Sequence, residues 1–183
     1  PSNMEKSPDK VEDRDISIID NWIAEQVYKK NLYLDSLCDK ASVNIIDRSP
    51  IDALAFTEKE KWKDKAGLLL RNINVGAKPK RLVGGIIIFL RGDKQEMYRR
   101  SVKKFRDYSP DALKNQQDMY QHLMDGINKV YEGSVYEINV TNKTIEQVTK
   151  EVAQIIFYNE YRETDFQGIL ELVLEKGWDF DEK

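Results

Sequence analysis

The residues with the clearest chemical potential are Asp47, Arg48 and Ser49, which close the apolar run in VNIIDRSPIDALAF, Val43 to Phe56. At the carboxyl end of a buried strand, a carboxylate can hold a magnesium ion through water or accept a proton from a nucleophilic hydroxyl. The neighbouring guanidinium stays charged at any relevant pH and can fork onto phosphate oxygens. The same residues admit a plainer reading, in which Asp47 and Arg48 pair and Ser49 and Asp52 are cap candidates for the helix that follows.

A second set is cationic: Arg91, Arg99, Arg100, Lys103, Lys104 and Arg106. Arg99, Lys103 and Arg106 recur at i, i+4 and i+7, so one helical face would be strongly basic and could close over polyphosphate as charge develops during transfer. Glu96 and Asp107 are too few acids to neutralise it, and the alternative is a solvated face paired with its own acids. Only Tyr98, Phe105 and Tyr108 interleave this patch, which argues against a nucleic-acid partner. Lys78, Lys80 and Arg81 precede the next strand at its amino end and read as surface. His122 has no thiol or imidazole partner in sequence and reads as structural. Cys38 lacks the partners that zinc or nucleophilic chemistry would need. Trp22, Trp62 and Trp178 read as packing residues rather than a stacking platform.

These residues must be positioned by a core, and 183 residues suffice for one domain with a core of its own. A 33% charged and 40% hydrophobic composition suits a mixed α/β domain, and a net charge of −3 gives no basic field for nucleic acid or an anionic membrane. The longest apolar run, Leu82 to Leu90, is too short to span a membrane. The first residues are polar, without a signal-peptide pattern, and a single cysteine gives no internal disulfide. A cytoplasmic location is the expectation.

Residues 1–15 read as a polar, mobile leader or linker, and 16–183 as a single domain with a helical tail from about residue 159. Helical spacing begins at Ile16. Val43 to Ile46 is expected to be a buried parallel strand. Leu54 to Leu70 returns to helical periodicity, and 72–81 reads as a loop. RLVGGIIIFLRG is the strongest strand, and its Gly84 and Gly85 would admit close approach of another backbone or a ligand. A charged helix from Lys94 to about Asp107 follows, then a second from Ser109-Pro110 to about Tyr131, ended by Gly133. SVYEINV alternates as a strand, Thr144 opens another helix, and a last one is expected over Phe166 to Leu174. Strands separated by helices predict βαβ crossovers in a parallel sheet with helices on both faces, a three-layer α/β fold. Ligands of such sheets bind beyond the carboxyl ends of the strands, where Asp47-Arg48-Ser49 and Arg91-Gly92-Asp93 fall.

A strand ending in Asp-Arg-Ser, a strand ending in LRGD, the basic helix MYRRSVKKFRDY, the helix DALKNQQDMYQHLMDGINKVYE and the segment SVYEINVTNKTIEQVTKEVAQII follow one another here. In this order they resemble the thymidylate kinase and deoxynucleoside kinase group of P-loop kinases, over about Ile16 to Phe157. The resemblance implies ATP-dependent phosphoryl transfer to a nucleoside, nucleotide or similar small phosphate acceptor, with ATP and Mg2+ as cofactors. Asp47 would be the acid near metal and acceptor hydroxyl, and Arg48 would bind a substrate phosphate or the transferring group. Arg91, Arg99 and Arg100 would be lid arginines over ATP, and Ser49, Lys103 and Arg106 would contribute to phosphate binding. The chain departs from the group in one respect: it has no G-x-x-x-x-G-K-[ST] loop, and the first strand and its P-loop are not found. Three arrangements would reconcile this. The chain is the carboxyl-terminal portion of a longer one, or a non-catalytic binding or scaffold module whose flanking strands close up directly, or a partner chain such as a second copy supplies the strand.

Overall fold

The computed structural model describes residues 16–37, 43–73, 81–103, 110–177 and 179–180. The chain is a mixed α/β assembly with a small parallel sheet. Helix α1 (Ile16–Asp35) is followed by the short α2 (Asp52–Ala55), a single 3-10 turn (Lys59–Lys61) and α3 (Trp62–Ile73). Strand β1 (Ile87–Arg91), helices α4 (Lys94–Lys103) and α5 (Pro110–Val130), strand β2 (Val135–Asn139) and helices α6 (Ile145–Tyr158) and α7 (Phe166–Lys176) complete the order. The expected leader, Cys38 and Trp178 lie outside the described residues, as does most of the 72–81 loop. Among the described residues no helix is long and apolar enough to cross a membrane.

The core follows from helical periodicity. Trp62, Ala66, Leu69, Leu70 and Ile73 line one face of α3, and Phe166, Ile169, Leu170 and Val173 line one face of α7. These stripes pack against each other, joined by Ile51 and Leu54 around α2 and by Leu123 and Ile127 of α5. Gly126 lets the Phe180 ring lie directly on α5, since a Cβ there would fall 2.2 Å from the ring. Gly177, at φ 86°, closes α7 by donating its N–H to the Val173 carbonyl at 2.8 Å. A buried Lys65 of α3 pairs with Asp20 of α1 and fixes how these two helices meet. The expected helix over Leu54 to Leu70 is thus interrupted. The chain turns at Thr57 and Glu58, and Thr57 Oγ1 donates back to the Ala53 carbonyl at 2.9 Å.

Thr144 opens α6 with a complete capping box: its side chain accepts from the Gln147 N–H, and the Gln147 side chain accepts from the Thr144 N–H at 2.8 Å. Replacing Thr144 with alanine should cost about 1 kcal/mol, read as a lower denaturation midpoint with an unchanged folded spectrum. A cost near zero would mean that the box does not hold the helix start.

The sheet is smaller than expected. Strands β1 and β2 pair in parallel, Ile87 opposite Val135 through Arg91 opposite Asn139. The Ile87 N–H donates to Ser134 and the Arg91 carbonyl accepts from Val140, so the alternate residues Ile86, Ile88 and Leu90 direct their backbone groups to the other edge. No described strand lies there. Gly85 forms a single antiparallel bridge with Thr164, with room for a Cβ, and what comes close to Gly84 is the Glu163 side chain, which a Cβ there would overlap.

Val43 to Ile46 departs from expectation. It forms no strand, and Val43, Ile45 and Ile46 are exposed, Ile45 at 75%. The physical reason is that strand structure is a pairing state: without a neighbour, a β-branched run leaves its backbone to water.

Candidate functional site

The chain between Ile46 and α2 turns sharply at Arg48, which adopts φ 71°. A non-glycine residue in this left-handed region is uncommon and costs about 1–2 kcal/mol, so surrounding contacts must hold it. They do. Lys30 of α1 donates to the Asp47 carbonyl at 2.7 Å. Asp52, in the first turn of α2, accepts from the Ser49 N–H at 3.2 Å and from Ser49 Oγ at 2.5 Å. These bonds anchor the turn but do not cap the helix: the residue at the N-cap of α2 is Ile51, and no side chain accepts from the first N–H groups there.

The Arg48 side chain points to α5. Its Nη1 donates to the Tyr120 hydroxyl at 2.9 Å, and its guanidinium lies over the Phe56 ring, 4.7 Å from the centroid. Tyr120 in turn donates to Asp52 Oδ2 at 3.0 Å, while Arg48 Nη1 stays 3.9 Å from the same oxygen. The Tyr120 ring stacks on Phe89 of β1, centroids 5.9 Å apart, and meets Phe56 edge-on at 5.7 Å. Tyr120 therefore ties the Arg48 corner to the first strand of the sheet. Burial, and next the Asp52 carboxylate, push its phenol well above the usual range, so it is a neutral hydroxyl at any ordinary pH.

The arginine side chain remains 51% exposed, and both of its polar contacts among the described residues use Nη1. Nε and Nη2 make no polar contact among the described residues. Asp47 beside it is exposed, and its backbone carbonyl, not its carboxylate, is what Lys30 engages. Among the described residues no group of three or more histidines, cysteines or acids is gathered for a metal. A magnesium ion arriving on phosphate would not need one, because it keeps several waters and takes one or two protein carboxylates.

The cationic set is arranged differently from Arg48. Arg91, at the end of β1, meets Glu137 of β2 at 3.2 Å. Arg99 forks onto Glu96 one turn back, with Nε and Nη2 at 2.8 and 2.9 Å, and this contact raises its pKa. Arg100 and Lys103 belong to α4, and Lys104 and Arg106 lie outside the described residues. Lys94 reaches Asp118 of α5 at 3.3 Å. Glu96 thus neutralises Arg99 more fully than a count of acids implied. Asp93 of the LRGD segment caps α4, its Oδ1 accepting from the Gln95 and Glu96 N–H groups at 2.9 and 3.2 Å.

His122 packs between Trp62 and Phe180, with centroids 5.9 and 6.2 Å away, in keeping with a structural role. Arg81 pairs with Asp165 at the surface. Sequence reasoning did not assign Tyr120 or Phe56 to the site. Tyr120 lies 72 positions from Arg48, and no local spacing links them. Phe56, eight positions on, stood among residues read only as an amphipathic segment.

No protein-family model, curated protein or solved structure matches the chain.

Proposed function

We propose that the Asp47–Arg48 corner binds phosphate, and that the chain serves ATP-dependent phosphoryl transfer to a nucleoside, nucleotide or similar small acceptor, on a three-layer parallel sheet of the P-loop kinase type. One observation carries the reading: a half-exposed guanidinium sits on a left-handed backbone, clamped on one nitrogen by a tyrosine and on one face by a phenylalanine. A residue held in so uncommon a conformation, with donors left over, is what an anion site requires. Magnesium would arrive on the phosphates, with Asp47 as a protein carboxylate near it. Catalysis would then be positioning and charge neutralisation, with Arg48 on the phosphate and Ser49 beside it. In sequence, Arg100, Lys103, Lys104 and Arg106 supply the remaining cations of the basic segment.

A second reading has its own support. Arg91 and Arg99, two of the three expected lid arginines, already spend their charge on Glu137 and Glu96. That favours a binding or scaffold module of the same fold without turnover. Calorimetric titration with magnesium-ATP separates the two. The phosphotransferase reading expects saturable heat from this 183-residue chain, weakened in an Arg99→Ala/Arg100→Ala double variant as the arginines exchange their acids for phosphate. No heat would overturn a self-contained phosphotransferase and leave the module. Undiminished binding in the double variant would remove the lid role.

A further inference from the structure

We propose that Tyr120 is a positioning residue that holds the Arg48 guanidinium off Asp52 and so keeps its charge available to an anion; this rests on the phosphate-site reading above. The geometry is specific. Arg48 Nη1 and Asp52 Oδ2 both address the Tyr120 hydroxyl, at 2.9 and 3.0 Å, yet stand 3.9 Å from each other. A forked arginine–carboxylate pair closes to about 2.7–2.9 Å, so the hydroxyl acts as a wedge between opposite charges. It can do this because a phenol both accepts and donates. It takes the arginine N–H on its lone pair and gives its proton to the carboxylate.

The surroundings lock the wedge. The Tyr120 ring is fixed between Phe89 and Phe56, and the Phe56 face also carries the guanidinium, so neither partner can slide past the hydroxyl. Asp52 is only 19% exposed and its other oxygen is taken by Ser49. Without the phenol proton, Oδ2 would be a partly buried carboxylate oxygen in want of a donor, and the closest cation is Arg48. Closure would produce a neutralised pair at the corner. Arg99 on Glu96 is already such a pair on α4.

Tyr120→Phe preserves both ring contacts and removes only the hydroxyl, so the fold is retained. Crystal structures of the chain and of this variant are compared first, without ligand. Arg48 and Asp52 are expected to close from 3.9 Å to direct ion-pair contact in the variant. Magnesium-ATP calorimetry follows, with affinity falling roughly tenfold in Tyr120→Phe, the scale of one charge-assisted hydrogen bond. The Tyr120→Phe/Asp52→Asn double variant removes the competing charge while leaving an oxygen for Ser49, and should regain affinity to within about threefold of the parent chain. A merely structural tyrosine would give no such rescue. If the guanidinium keeps its place in Tyr120→Phe, the wedge is overturned whatever ATP does. If it closes onto Asp52 but the parent chain binds no magnesium-ATP, the wedge stands and the phosphate-site reading falls.

Discussion

Arg48→Ala is expected to weaken magnesium-ATP binding by roughly tenfold to a hundredfold, from the loss of a charge-assisted hydrogen bond worth about 1.5–3 kcal/mol. The effect should be larger than for either arginine of the cationic set whose partner is known. Arg91 and Arg99 must first surrender an acid, whereas Arg48 has Nε and Nη2 uncommitted among the described residues. Arg48→Lys should not rescue, because an ammonium offers no planar fork and cannot lie flat on Phe56 while reaching both Tyr120 and a phosphate. Stability should move the other way or little. The left-handed backbone at φ 71° costs an arginine about 1–2 kcal/mol, and glycine escapes that cost, so Arg48→Gly should stay within about 1 kcal/mol of the parent chain. Affinity by calorimetry and midpoint by chemical denaturation, measured on the same three variants, therefore separate function from fold. Unchanged affinity in Arg48→Ala would sink the phosphate site. A large loss of stability in Arg48→Gly would mean that the guanidinium clamps the corner as a structural pair.

What the sequence made legible was local. The helix opened by Thr144, the helix beginning at Pro110 and the strands IIFLR and VYEIN lie where periodicity and caps predict them. Each is decided within a few residues, by an apolar stripe, a capping oxygen or a proline in the first turn. Val43 to Ile46 was equally well patterned and still is not a strand, because its state depends on a neighbour that no property of those four residues encodes. The site divides in the same way. Ser49 and Asp52, three positions apart, are near enough in sequence to meet, and they do, but as donor and acceptor within the turn and not as caps of α2, whose N-cap is Ile51. The contact of Arg48 with Tyr120 joins distant segments through the packing of α5 on α2, and only the folded chain reveals it. Charge counting failed for the opposite reason. Arg99 and Glu96 are one turn apart on the same helix, so their pairing was local and could have been read from i, i+3 spacing.

Trp62→Ala should lower stability by about 3–5 kcal/mol, a large part of the 5–15 kcal/mol typical of a domain this size. Trp62 is fully buried at the junction of three segments. Its indole N–H donates to the Thr57 carbonyl at 2.9 Å, which fixes the turn leaving α2, and its ring meets His122 of α5 and Phe180 beyond α7. Alanine would leave a cavity among α3, α5 and α7 and an unpaired carbonyl at Thr57. Trp62→Phe keeps most of the ring and loses the donor, so it should cost clearly less, about 1–3 kcal/mol. Urea denaturation should show both as midpoint shifts with an unchanged slope. A loss below about 1 kcal/mol in Trp62→Ala would mean that this junction is not the core. The same pair of variants probes how the corner is supported. Ile51 and Leu54 share the cluster with Trp62 and flank Asp52, so the carboxylate that positions Tyr120 and Ser49 is seated on this core. Trp62→Phe, folded at low temperature, should bind magnesium-ATP as the parent chain does. A drop in its affinity comparable to that of Arg48→Ala would show that the indole–Thr57 bond, and not packing alone, sets the position of the corner.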